Sequence, residues 1–107
     1  MYKPKSTREI YIESLSINSA SIEKQLVDDS VSREEIRSIL DLVSEIYLRE
    51  VERITTLCDK DMMALEHVPS PLKLFVDCLA RARKSLSLSS QACRLIEHYT
   101  SAWEDWM

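Results

Sequence analysis

The residues that could ligate a metal ion are few and scattered along the chain. Zinc sites take two ligands from one local turn, at spacings such as C-x₂₋₄-C or H-x₃₋₅-H, and neither spacing occurs. Cys93 and His98 lie five residues apart, roughly 140° around a helix, and therefore face different directions. The candidate ligands are Cys58, Asp59, Asp61, His67, Cys78, Cys93 and His98. Their spacing predicts no metal site and no cofactor.

The sequence also offers few residues that could act as a nucleophile or as its base. Cys78 and Cys93 each stand beside apolar residues, where a free cysteine usually behaves as a small hydrophobic side chain. Only His67 and His98 could serve as an imidazole base. The chain contains no glycine, which excludes glycine-rich phosphate loops and nucleophile elbows. We therefore expect a protein that is not an enzyme and has no catalytic residues.

A basic stretch is the first candidate for binding chemistry. Arg81, Arg83, Lys84 and Arg94 lie within residues 78–96, which hold no acid. Such cations could neutralise a few phosphates, and we name them as nucleic-acid contacts under an alternative hypothesis. The net charge of the chain is −4, and no helix-turn-helix with a glycine turn can be drawn. A solvated charged face is therefore the favoured interpretation.

An aromatic cluster closes the sequence. Tyr99, Trp103 and Trp106 follow Ala92 and Ile96 at spacings of three or four, as in a helical seam. Tyr and Trp are also common anchors of protein interfaces. We predict that these three aromatic residues bind a partner, with Trp103 contributing to the core. For Trp106, cover for the core and partner contact both remain open.

The elements that must position these side chains are predicted to be helices. A chain of 107 residues without glycine is poorly suited to the tight turns of a β or α/β domain. Its apolar fraction of 45% and charged fraction of 30% are typical of a folded protein. We predict one all-α domain, 1–107, built as a small bundle on a long antiparallel helix hairpin.

Capping residues give the helix bounds. The capping boxes Ser6–Glu9 and Ser32–Glu35 predict helices over 6–28 and 32–66. Val68-Pro69 stops the second helix, and Ser70-Pro71 begins a third over 70–106. The third helix is either continuous or broken at 85–90, which gives a bundle of three helices or of four.

The first predicted helix has two further features. Its buried face is expected to carry Tyr11, Leu15, Ile22 and Leu26. The alternation of Ile10, Ile12, Leu15 and Ile17 in a serine-rich stretch leaves a bent helix or a short strand as alternatives.

These predictions combine into a functional expectation. Three cysteines without a close pair, and neither a signal segment nor a long apolar run, favour a cytoplasmic protein that does not enter a membrane. We expect an acidic, non-catalytic helical protein that acts on a protein partner as an adaptor, regulator, chaperone or inhibitor. A homo-oligomer is a further expectation, because one short helix cannot cover the apolar stripe of a long hairpin.

Overall fold

Helices form all of the regular structure within the described residues. A computed structural model describes residues 6–59 and 68–104, without the side chains of 58, 59, 103 and 104. Within those ranges it contains four helices, α1 Thr7–Asp28, α2 Arg33–Asp59, α3 Pro71–Ser85 and α4 Ser90–Glu104. The predicted all-α bundle is confirmed, and the residues weighed as a short strand are helical. The predicted ends at 66 and 106 lie outside the described residues.

Serine hydroxyls begin the first three helices, as the sequence predicts. The Oγ atoms of Ser6, Ser32 and Ser70 each accept a hydrogen bond from the backbone N–H three residues on, at 3.2, 3.3 and 3.1 Å. Each bond satisfies one amide that the first helical turn leaves without a partner. Pro71 follows Ser70 at the first helical position, where a missing N–H does no harm.

A break separates α3 from α4, so the broken alternative is the one observed and a continuous helix over 70–106 is wrong. Leu86 leaves the helix in an extended conformation, and Leu86 and Leu88 pack half-buried against the core. Ser89 then caps α4 by accepting from the N–H of Ala92 at 3.3 Å. The break lets α4 fold back on α3, where the rings of Phe75 and Tyr99 meet edge to face at 6.4 Å.

The core lies between all four helices and contains the predicted face of α1. Tyr47 of α2 is fully buried and donates a hydrogen bond to the backbone carbonyl of Tyr11 at 2.7 Å. The hydroxyl of Tyr11 donates in turn to the carbonyl of Pro69. These two bonds join α1, α2 and the start of α3. The main buried side chains are Tyr11, Leu15, Ile22, Leu26, Ile36, Ile39, Val43, Tyr47, Val51, Ile54, Phe75, Leu79, Ala82, Ala92 and Ile96.

Candidate functional site

The basic stretch is partly occupied by ion pairs within the bundle. Arg81 lies 3.0 Å from the carboxylate of Asp77 and 3.7 Å from that of Glu50 on α2. Arg83 reaches Glu97 on α4 at 2.6 Å. Two of the four predicted phosphate contacts therefore hold α3 against its neighbours, and partly exposed pairs of this kind are individually weak.

The other two cations of the stretch are less engaged. Lys84 and Arg94 are exposed and have no ion pair within the described part of the chain. Lys84 lines a shallow groove between α2 and α3 together with Arg49 and Arg81. Because Arg49 pairs with Glu45 at 2.6 Å, Lys84 is the cation of that groove that is left for an anion.

The aromatic cluster is only partly described. Tyr99 is buried, with 9% of its surface exposed, and packs its ring on Phe75. It therefore holds α4 to α3. The side chain of Trp103 and the whole of Trp106 lie outside the described residues, so their partner contact stays a prediction.

The candidate nucleophile Cys78 lies in the core. Burial raises the pKa of its thiol to about 12, helped by the charge of Asp77 and opposed by that of Arg81. The thiol is therefore protonated near neutral pH and is a poor nucleophile there.

The remaining candidate metal ligands do not form a cluster within the described residues. Cys93 is half-buried, with its Sγ 3.9 Å from the carbonyl of Leu88, and His98 is exposed. Residues 6–59 and 68–104 contain no group of three side chains placed to hold a metal ion. The side chains of Cys58 and Asp59, together with Asp61 and His67, fall outside the description.

The surface that sequence reasoning missed is the outside of α1. This helix exposes four large aliphatic side chains beyond its buried face, and Ile17 is the most open at 69%. Three of the four belong to the alternation of Ile10, Ile12, Leu15 and Ile17, for which the sequence left a bent helix or a short strand as alternatives. The four are Ile10, Ile12, Ile17 and Val27, and Leu48 of α2 is also exposed.

A groove of about 440 Å³ runs along the junction of α1 and α2. Its apolar lining comprises Val27, which is 56% exposed, half-buried Leu40 and the edge of buried Ile36. Charged side chains form the rest of the lining, and the two signs are balanced. These are Glu23, Arg33, Arg37 and Asp41.

Comparison with known proteins adds no relative. No family model, no curated protein and no solved structure matches the chain. Among the described helices, none combines the length and the apolar character needed to cross a lipid bilayer.

Proposed function

We propose that this chain is a non-catalytic helical protein that works by binding another protein through the outer surface of α1 and the adjoining α1/α2 groove. The observation that carries the proposal is the exposure of four aliphatic side chains on this one helix of 22 residues, two of which, Ile10 and Ile17, lie seven residues apart on one face. Single exposed apolar residues are ordinary, but several on one helix favour a contact surface. Covering them gains about 25 cal/mol per Å² of apolar area.

The role we infer is that of an adaptor, regulator, chaperone or inhibitor of a larger partner. Each of these roles requires a docking surface on a stable scaffold, and the buried core supplies the scaffold here. We propose a cytoplasmic location, and the free thiols of Cys78 and Cys93 support it.

Nucleic-acid binding through Arg81, Arg83, Lys84 and Arg94 remains the alternative hypothesis. Its support is thinner than for the protein partner, because Arg81 and Arg83 are already paired with carboxylates. That leaves Lys84 and Arg94 as the cations available to phosphate.

An affinity capture from the cells that produce the protein tests the proposal. We expect wild-type chain to retain a partner protein after nuclease treatment, and the Ile17→Ser variant to lose most of it with its melting temperature unchanged. Ser101→Ala, an exposed change on α4, is the matched control and should capture normally. Capture that is independent of Ile17, or that disappears with nuclease, would refute a protein contact through α1.

A further inference from the structure

Two arginines that line the α1/α2 groove are not held in ion pairs among the described residues. Arg33 and Arg37 are one helical turn apart on α2 and have no carboxylate within 4.0 Å in the described part of the chain. The remaining described arginines of α1, α2 and α3 all lie in ion pairs. These are Arg8, Arg49, Arg53, Arg81 and Arg83. Two like charges at this spacing repel each other slightly, so a carboxylate placed against the pair is favoured.

The same groove also presents acids without cations. Glu23 and Asp41 line it and form no ion pair among the described residues. A partner of one strong charge would be attracted by half of this surface and repelled by the other half. A better fit is a surface that places a base opposite each acid of the groove and an acid opposite each base. A second copy of the chain, related by a two-fold axis, can present such a surface.

The order of residues along α2 fits such an axis. Arg33 and Arg37 precede Leu40, and Asp41 follows it. An axis close to Leu40 runs the two α2 helices antiparallel, so Arg37 of each copy comes level with Asp41 of the other. Leu48 stands seven residues after Asp41 on the same side of the helix.

The antiparallel contact also accounts for exposed apolar residues. It brings Leu48 of one copy toward the Val27 end of the groove on the other, and both side chains are exposed in the single chain. Leu40 then lies near the centre, inside a charged rim, which is the usual arrangement of an apolar interface core.

We propose that the α1/α2 groove binds a second copy of this chain in a two-fold symmetric dimer, with Arg37 of each copy facing Asp41 of the other. This inference rests on the proposed protein-binding function of the same surface and names the partner for the groove.

Sedimentation velocity over a concentration series tests the dimer. We expect the wild-type chain to shift from the monomer to twice that mass as concentration rises. Arg37→Asp and Asp41→Arg should each weaken the dimer at least about tenfold, because each change places like charges across the contact twice. An equimolar mixture of the two variants should recover wild-type affinity, since the opposite charges then meet in the heterodimer. Arg94→Asp, an exposed arginine of α4 outside the groove, should have no effect.

Two results would overturn the dimer. One is a chain that stays monomeric at several hundred micromolar. The other is a dimer that is indifferent to both charge reversals, which would place the contact elsewhere. Circular dichroism and thermal melting of each variant separate loss of contact from loss of fold. A monomeric chain that still captures a different protein through Ile17 refutes the dimer and leaves the proposed function standing.

Discussion

At the scale of single residues, Ser30 shows how a chain without glycine ends a helix. It adopts a left-handed conformation, with φ of 62°, two residues after the end of α1 and next to the C-cap residue Asp29. The N–H of Ser30 bonds to the carbonyl of Val27 at 3.0 Å, and the N–H of Val31 bonds to that of Leu26 at 3.0 Å. These are the two bonds of a Schellman motif, and buried Val31 and Leu26 supply its apolar contact. The absence of glycine thus excludes fewer turns than the composition suggests.

Replacing Ser30 by glycine should stabilise the protein. Glycine adopts the left-handed conformation without the strain of a Cβ atom, and its greater freedom in the unfolded chain offsets part of that gain. We expect the free energy of unfolding to rise by about 0.5–1 kcal/mol in urea titrations. Ser87→Gly, an exposed loop position with negative φ, should be neutral or destabilising. Equal effects at both positions would contradict the strain at Ser30.

Two buried residues predict how stability depends on alkaline pH. Burial raises the pKa of Cys78 from 9.0 to about 12 and raises that of Tyr47 above its ordinary 10.0. Their neutral forms are favoured in the folded chain, so their stabilising effect is complete below pH 9 and declines as pH rises toward the folded values. We expect the free energy of unfolding to decrease steadily above about pH 9. Cys78→Ala should flatten the part of that decrease between pH 9 and 12; an unchanged slope would show that the thiol is not responsible.

At the scale of elements, one carboxylate joins the beginnings of two helices. We predicted that Glu35 would complete a local capping box with Ser32. Its Oε1 atom instead accepts from the N–H and the hydroxyl of Ser89 at 3.1 and 2.6 Å. Ser89 is the residue whose hydroxyl caps α4. The start of α4 is therefore fixed by a residue of α2 that is 54 positions away in sequence.

Removing that carboxylate should loosen α4. Hydrogen bonds to a charged group are worth about 1.5–3 kcal/mol when partly buried, so Glu35→Ala should lower the free energy of unfolding by about 1–2 kcal/mol. The neighbouring exposed Glu34 provides the control, since Glu34→Ala removes the same charge from the same helical turn. We expect it to cost less than about 0.5 kcal/mol. If the two variants lost similar amounts of unfolding free energy, Glu35 would stabilise the protein only through the helix dipole and not through its hydrogen bonds to Ser89.

The helix starts could be predicted from local sequence signals, whereas the break between α3 and α4 depends on contacts between residues far apart in the sequence. Ser6, Ser32 and Ser70 cap helices through their own neighbours, so the sequence contains the whole signal. The break before Ser90 was left open because the apolar spacing continues across it, and only the contact with Glu35 and the packing of Leu86 distinguish the two alternatives.

The exposed isoleucines of α1 left the sequence ambiguous for a related reason. Apolar side chains at Ile10, Ile12 and Ile17 weaken the periodicity that identifies an amphipathic helix. These three side chains are exposed and do not pack into the core, so they add apolar residues at positions where an amphipathic helix normally carries polar ones. A residue that departs from the pattern of its element is where a functional surface is expected.

At the scale of the whole molecule, its charges have two uses. The basic stretch was predicted as a solvated charged face, but Arg81 and Arg83 bind carboxylates of α2, α3 and α4 and help to hold the bundle. The α1/α2 groove keeps both signs without partners among the described residues. The ion pairs on the α3 side therefore help to account for the fold, and the α1 side is where we propose the contact with a partner.

The most direct test of that assignment is site-specific photo-crosslinking from position 17 in the cells that produce the protein. A photoreactive side chain at Ile17, the most exposed large apolar position described, should give a defined protein adduct on irradiation. The same side chain at exposed Ser101 should give little or none. An adduct at Ile17 that exceeds the Ser101 control supports α1 as the contact surface; equal labelling at the two positions, or none at Ile17, would contradict it.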